Sequence, residues 1–369
     1  MLLLDPSLLS IWKKIETGGR LSLEDTIILY HSPDLAGIGA MANVVRERRH
    51  GNMATYIFNR YVNYSNICIL NCQFCAFGAK KRDAHAFETA IPEIVAATRE
   101  AWMKGATEIH MVGGLHPSLR GEWYLELLRE MRKVSAKLHL KAFTAIEVRH
   151  LASRIFKKPL RETLELLRDA GLDTLTGGGA EIFDPAVRDQ ICRGKETAEE
   201  WLEAHQTWHE MGMRSNATML FGHIETAKQR ADHLQRLRNL QDKTHGFTAF
   251  LPYAFVPETT VLSHIVPATE EECLRNLAIA RLFLDNFEHI TAYWISFGLP
   301  LAAKSLHYGV DDLHGTIEEE KIFHMAGAKT PKEQTVETLE EAIRHVGRNP
   351  SQRDTFYQQI EKTTFRTVS

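Results

Sequence analysis

Seven times between residues 61 and 298 a short β-branched or apolar run gives way to an amphipathic stretch that stops at or near glycine. The runs are YVNYSNI (61–67), EIHMVGG (108–114), LHLKAFTAIE (138–147), TLTGGGAEI (174–182), SNATMLFGH (215–223), FTAFLPYAF (247–255) and ITAYWISFG (290–298). Strands joined through helices pair in parallel, because the connection is too long for a hairpin and the right length for a crossover. The helices have clear ends. PEIVAATREAWMKG carries Pro92 in its first turn and Gly105 past its last, and Thr197/Glu200 and Thr269/Glu272 have capping-box spacing. The spacing predicts an α/β fold, and seven units with an eighth near GVDDLHGTI favour a TIM-type (β/α) barrel; an open doubly wound sheet remains the alternative.

The flanks read as helical. SLLSIWKKIETG ends at Gly18 and SLEDTIILYHS starts at Ser22, which predicts an N-terminal helical cap over 1–50 and a barrel over 51–325. Over 326–369, TPKEQTVETLEEAIRHVG predicts a helix packed on the barrel, with Thr330 and Glu333 as capping box and Gly347 as stop, followed by a polar tail.

A chain of 369 residues with 44% hydrophobic and 25% charged residues can bury a large core. A net charge of -3 offers no broad basic field for nucleic acid, so a small-molecule substrate is expected. No run of about eighteen apolar residues predicts a membrane span. The N-terminus lacks a basic leader, and Asp5 and Pro6 interrupt its apolar start, so a cytoplasmic location is expected.

Three of the five cysteines, Cys68, Cys72 and Cys75, fall within NICILNCQFCAFG, directly after the first strand. In a reducing compartment such clustering reads as metal binding or redox chemistry, since thiolates are soft donors suited to zinc, copper(I) and iron-sulfur clusters. A structural zinc site normally closes with a fourth protein ligand. His85 is the one nearby candidate, and no second knuckle follows. Ferredoxin-type clusters also use four cysteines, while Cys192 and Cys273 lie far away and read as ordinary helix or loop residues. The ligand set is one short, as for a cubane whose fourth iron is left to a ligand that is not the protein.

The pattern C-x3-C-x-aromatic-C, with Phe74 as the aromatic, resembles the signature of the radical S-adenosylmethionine (SAM) enzymes. That resemblance implies a 4Fe-4S cluster on the three cysteines, SAM chelating the open iron, and cleavage of SAM to a 5′-deoxyadenosyl radical. It also implies an electron donor such as flavodoxin or ferredoxin. Phe74, Phe77, Gly113, Gly114 and Glu181 are the residues expected at SAM; the Gly-Gly of MVGGLHP lets a ligand approach the backbone. Leu115 stands where many members carry an acid, and Glu181 is the candidate to replace that contact.

A closer resemblance runs in order over roughly residues 50–357. VGGLHPSLRGEWY, LHLKAFTAIE, GGGAEIFDPAVRDQICRGK, NATMLFGHIET and AYWISFGLPLAAKSLHYGVDDLHGTIEEEKI look like the aminofutalosine synthase family of menaquinone biosynthesis. The sister families are dehypoxanthine futalosine cyclase and the radical enzymes of deazaflavin synthesis. The resemblance implies a transferase that consumes SAM as co-substrate, adding its adenosyl group to the enol ether of 3-[(1-carboxyvinyl)oxy]benzoate. The product is 6-amino-6-deoxyfutalosine, formed with loss of bicarbonate. Such a reaction needs a dry pocket holding alkene and adenosyl carbon together. His116, Asn216 and His223 are the catalytic candidates and Thr218 and Tyr253 the substrate-binding ones, with Asn216 and Thr218 alternating onto one strand face. His205 and His209 share a helix face and read as surface or interhelix residues, and Lys80, Lys81 and Arg82 as a solvated turn that an electron donor could use. A non-catalytic metal or electron-transfer module is the competing class.

Overall fold

The structure is a computed structural model that describes residues 3–361. Seven strands form one parallel sheet in sequence order: β2 (Asn59–Val62), β3 (Glu108–Met111), β4 (His139–Ala142), β5 (Thr174–Leu175), β6 (Arg214–Phe221), β7 (Phe247–Ala254) and β8 (His289–Ile290). Three more, β1 (Met53–Ile57), β9 (Asp312–Gly315) and β10 (Asn349–Arg353), form a second parallel sheet in the order β10-β1-β9. The segment around β9 joins the free edges of the large sheet. Ala292 N–H donates to the Asp312 carbonyl at 2.8 Å on the β8 side, and Tyr61 N–H donates to the Ile317 carbonyl at 2.6 Å on the β2 side. The eighth unit near GVDDLHGTI is therefore a strand, but one paired to β1 instead of simply extending the seven.

Of the three N-terminal helices, α1 (Leu8–Glu16), α2 (Leu23–His31) and α3 (Leu35–His50), α2 and α3 pack against the helix Glu270–Phe283, α2 also against Ala227–Thr244, and α1 packs on α2 and α3. Ser22 and Asp25 form a reciprocal capping box at α2, with bonds of 3.2 and 2.8 Å. The boxes expected at Thr197 and Thr269 also hold the backbone N–H three residues on, each at 3.2 Å. Gly105 ends its helix in the left-handed region at φ 108°, where a Cβ is penalised.

Several expected strands are shorter than their apolar runs. The run 138–147 breaks at Ala142, and its last residues form a helix, Ala145–His150, capped by Thr144 and Glu147: the T-x-x-E spacing outweighs the β-branched composition. The run 174–182 is a strand only at Thr174–Leu175, because Gly177 to Gly179 form a loop; a Cβ on Gly177 would sit 2.6 Å from the Asn216 carbonyl oxygen. After β8 the chain turns into the helix Trp294–Phe297.

At the C-terminal side the helix is Val336–His345, capped by Thr335, and Thr330 instead donates its hydroxyl to the Ile295 carbonyl at 2.9 Å. The expected polar tail contains β10, whose Arg353 makes a bidentate contact to buried Asp312 of β9 at 2.5 and 2.9 Å. A polar strand such as NPSQR is specified by its ladder and this ion pair, which periodicity does not show. The part of the expected tail beyond 361 lies outside the described residues. No helix among the described residues is long and apolar enough to cross a membrane.

Candidate active site

The cysteine loop leaves β2 and is tied to the body of the fold at both ends. Cys68 N–H donates to the Ala79 carbonyl at 2.9 Å, and Gln73 N–H to the Ile191 carbonyl at 2.7 Å. Lys80 is not a free turn residue: its ammonium caps the carbonyls of Cys68, Ile69 and Leu70 at 3.0, 3.2 and 2.7 Å. Lys81 and Arg82 remain exposed.

Backbone N–H groups of Leu70 and Gly78 point at the sulfurs of Cys68 and Cys75, each at 3.4 Å, and such dipoles favour thiolates. Burial pushes the Cys72 and Cys75 thiols up in pKa, so a metal bound there would displace their protons. Among the described residues, the one set of three His, Cys, Asp or Glu ligand atoms all within 4.8 Å of one another is His50, His289 and Asp311. The three cysteine sulfurs are thus spread wider than the ligands of one tetrahedral ion, and His85 is exposed on the surface. A three-thiolate set of this width, opening on a cavity, fits a multi-iron cluster and does not fit structural zinc.

That cavity holds about 250 Å³ and is lined by all three cysteines. Phe74, Phe77, Gly113, Gly114 and Glu181 line it as well. The glycines are needed for a reason other than ligand approach. A Cβ on Gly114 would stand 2.4 Å from the Ile67 carbonyl oxygen, and one on Gly113 would stand 2.5 Å from the Tyr64 ring. The β3 loop and the cysteine loop pass too close for side chains. Glu147 supports this crossing by accepting from Gly113 N–H at 3.0 Å and from the Tyr64 hydroxyl at 2.8 Å. Glu181, held at a left-handed φ of 45°, pairs with Lys195 at 2.5 Å, and the Lys195 ammonium lies 5.4 Å from the Phe74 ring centre. Glu181 and Glu196 hold Lys195 protonated although burial works against its charge.

Of the reaction-site candidates, Asn216 and Tyr253 line the cavity. Asn216 donates to the Thr248 hydroxyl at 2.8 Å. Thr218 shares its strand face, but its hydroxyl is spent on the Gly177 carbonyl at 2.6 Å and it lies outside the cavity wall. His116 and His223 also lie outside that wall. The His116 Nδ1 accepts from Ser118 and Leu119 N–H groups at 3.2 and 3.0 Å, and its Nε2 is 2.7 Å from Glu88, so it shapes the loop after β3. The His223 ring is enclosed by the Leu220 carbonyl, Ile224 N–H and Glu225. His205 and His209 are buried, both against the Ser215 hydroxyl at 2.8 and 2.7 Å, and are core residues, not surface ones.

Sequence reasoning missed Lys195, Glu147 and the deep wall formed by Tyr61, His110, Lys141 and His314. The signal for His110 was present: Glu108 and His110 alternate with Ile109 and Met111, which puts two polar side chains on one strand face.

Residues 62–237 match the radical SAM superfamily, and residues 244–365 match the CofH/MqnC C-terminal region. The chain belongs to the radical SAM superfamily and is an enzyme of that class, a membership that implies a 4Fe-4S cluster and SAM. Within it, the chain is 44% identical over 360 residues to an aminodeoxyfutalosine synthase of Thermus thermophilus, covering 96% of each chain. It is 38% identical to a cyclic dehypoxanthine futalosine synthase of Streptomyces coelicolor, covering 95% of this chain and 88% of that one. The fold matches methylornithine synthase with a TM-score of 0.74 at 15% identity, over 92% of this chain and 97% of that one.

Proposed function

We propose that the chain is a SAM-dependent transferase acting on 3-[(1-carboxyvinyl)oxy]benzoate to give 6-amino-6-deoxyfutalosine and bicarbonate. The observation that carries this reading is the near full-length similarity to an aminodeoxyfutalosine synthase, combined with a three-thiol loop opening on one cavity. Cys68, Cys72 and Cys75 would hold the cluster, which together with SAM would supply the electron and the 5′-deoxyadenosyl group. Gly113, Gly114, Phe74 and the Glu181–Lys195 pair line the SAM side, and Asn216 and Tyr253 the substrate side. Apolar walls from Leu220, Leu251, Phe255 and Phe323 exclude water from the alkene. A one-electron donor such as flavodoxin or ferredoxin completes the system, and exposed Lys81 and Arg82 beside the loop suit its acidic surface.

Mass spectrometry after anaerobic incubation with SAM, dithionite and the enol ether tests the assignment. A product that retains the adenosyl group supports it. Free 5′-deoxyadenosine formed with dehypoxanthine futalosine, and no adduct with the enol ether, assigns the cyclase reaction instead.

A further inference from the structure

The interior of the barrel is built in rows set by strand register. Asn59, Glu108 and His139 stand opposite one another on β2, β3 and β4, and two residues further along Tyr61, His110 and Lys141 form the next row. Residues two apart on a strand share a face, so both rows point inward.

The lower row is closed. Glu108 accepts from the Asn59 amide at 3.0 Å and from the Thr355 hydroxyl at 2.9 Å, while His139 Nε2 meets the Thr174 hydroxyl at 3.0 Å. The Glu108 carboxylate is held ionised against burial by Lys141 and the Asn59 amide.

The upper row is open. Lys141 is buried at 7% exposure, yet its ammonium makes one contact, a long 3.5 Å reach to Glu108, and an ammonium has three protons to place. His110 stacks on Tyr61 with ring centres 4.2 Å apart, and its Nδ1 is buried without a hydrogen-bond partner. His314 Nδ1 is likewise buried and unpartnered, while its Nε2 is 3.3 Å from the Tyr61 hydroxyl. All of these residues line the cavity, whose other cation, Lys195, is already engaged by Glu181. Its carboxylates, in contrast, are satisfied: Glu320 accepts from Phe323 and His324 N–H groups, and Glu147 from Thr144, Tyr64 and Gly113.

A buried cation with unspent protons and two unpartnered imidazole nitrogens on one wall are costly unless a ligand completes them. We infer that Lys141, His110 and His314 form an anion subsite on the cavity floor that takes a carboxylate of the substrate. One formal charge beside two imidazoles matches a monoanion better than a phosphate. The row lies roughly 10 Å below the level of Gly113 at a rise of about 3.3 Å per residue, so the subsite holds the end of the substrate remote from the cysteine loop. For the enol ether that end is the benzoate carboxylate, an assignment that rests on the proposed function; the carboxylate lost as bicarbonate stays near the rim. Tyr61 and Tyr293, whose rings are 6.5 Å apart, flank the position with aromatic surface.

Equilibrium binding to the anaerobic holoenzyme tests this with 3-methoxybenzoate and its uncharged methyl ester. Wild type should prefer the acid, and Lys141→Met should lose roughly 10- to 100-fold of acid affinity while binding the ester as before. Lys141→Arg should recover part of the loss. Because Lys141→Met leaves Glu108 without its cation, the paired variant Lys141→Met/Glu108→Gln is measured alongside, with iron content reporting an intact fold. Equal affinity of wild type for acid and ester, or no binding of either, overturns the subsite, as does an unchanged acid affinity in both variants. The two readings fail separately. If wild type makes no adenosylated product but binds the acid through Lys141, the function falls and the subsite stands. If product forms with the same KM in wild type and in the paired variant, the reverse holds.

Discussion

Replacing Gly114 by alanine adds one methyl group where the chain has no room for it. The new Cβ would stand 2.4 Å from the Ile67 carbonyl oxygen and 2.8 Å from the Ile67 carbonyl carbon. Ordinary contact starts near 3.4 Å, so the two backbones must separate by about 1 Å. Ile67 precedes Cys68, and the two segments are joined by Gly114 N–H to the Ser65 carbonyl at 2.8 Å and Ile69 N–H to the Leu115 carbonyl at 3.1 Å. The separation therefore strains the bonds that place the first thiol. Overpacking of this kind costs about 1–3 kcal/mol. Gly113→Ala is the milder neighbour, because its clash is with the Tyr64 ring, a side chain, not with backbone. Gly212→Ala is the control: its φ of 80° makes alanine costly by about 1–2 kcal/mol, but nothing lies within 4 Å. After anaerobic reconstitution, Gly114→Ala should hold less than half the iron of wild type, whereas Gly212→Ala should lose thermal stability and keep its iron. Wild-type iron in Gly114→Ala, with Gly212→Ala losing more, refutes the argument that this crossing sets the cluster loop.

Lys80→Met should lower iron retention on dilution with little change in Tm, since its ammonium serves three carbonyls of the cysteine loop on an exposed face. Arg353→Met leaves buried Asp312 without its cation and should cost about 3–5 kcal/mol in denaturant unfolding, with part of the loss recovered by adding Asp312→Asn. Glu225 works against burial, yet the His223 and Arg230 side chains and Gly222 N–H lower its pKa to about 2. Its folded value lies below its unfolded one, so its contribution, about 3 kcal/mol, is complete above pH ~5 and fades as pH falls through about 2. The stability gap between wild type and Glu225→Gln, measured by urea unfolding, should shrink from pH 6 to pH 3; a constant gap disproves the linkage.

What was legible in the sequence was whatever a local stretch of chain decides alone. Three thiols spaced by four and three residues declare a metal loop before any fold is known, and the alternation of strands and capped helices declares a parallel sheet. The failures have the opposite character. The apolar run through Thr144 and Glu147 reads as strand, though these two residues cap a helix and Glu147 then turns back to hold Gly113. His116 and His223 follow strands, the right end of a barrel for chemistry, but their rings bond the backbone of their own loops.

The cavity floor was illegible for a deeper reason. Asn59 and Glu108 are 49 residues apart and Lys141 and Glu108 are 33 apart, so neither partner appears in any window around the other. Whether a buried lysine is a closed ion pair or an open donor depends on which row of the barrel it joins, and strand register across two crossovers decides that. Register here assigns Glu108 to the row of Asn59, where that amide and the Thr355 hydroxyl satisfy it, and Lys141 to the row facing the cavity. A one-residue slip in β4 would turn Lys141 outward and put Leu140 in its place, leaving the floor without its cation. The anion preference of the pocket is therefore a property of sheet register, and a variant that shifts β4 should lose carboxylate selectivity even with every side chain of the floor still present in its sequence.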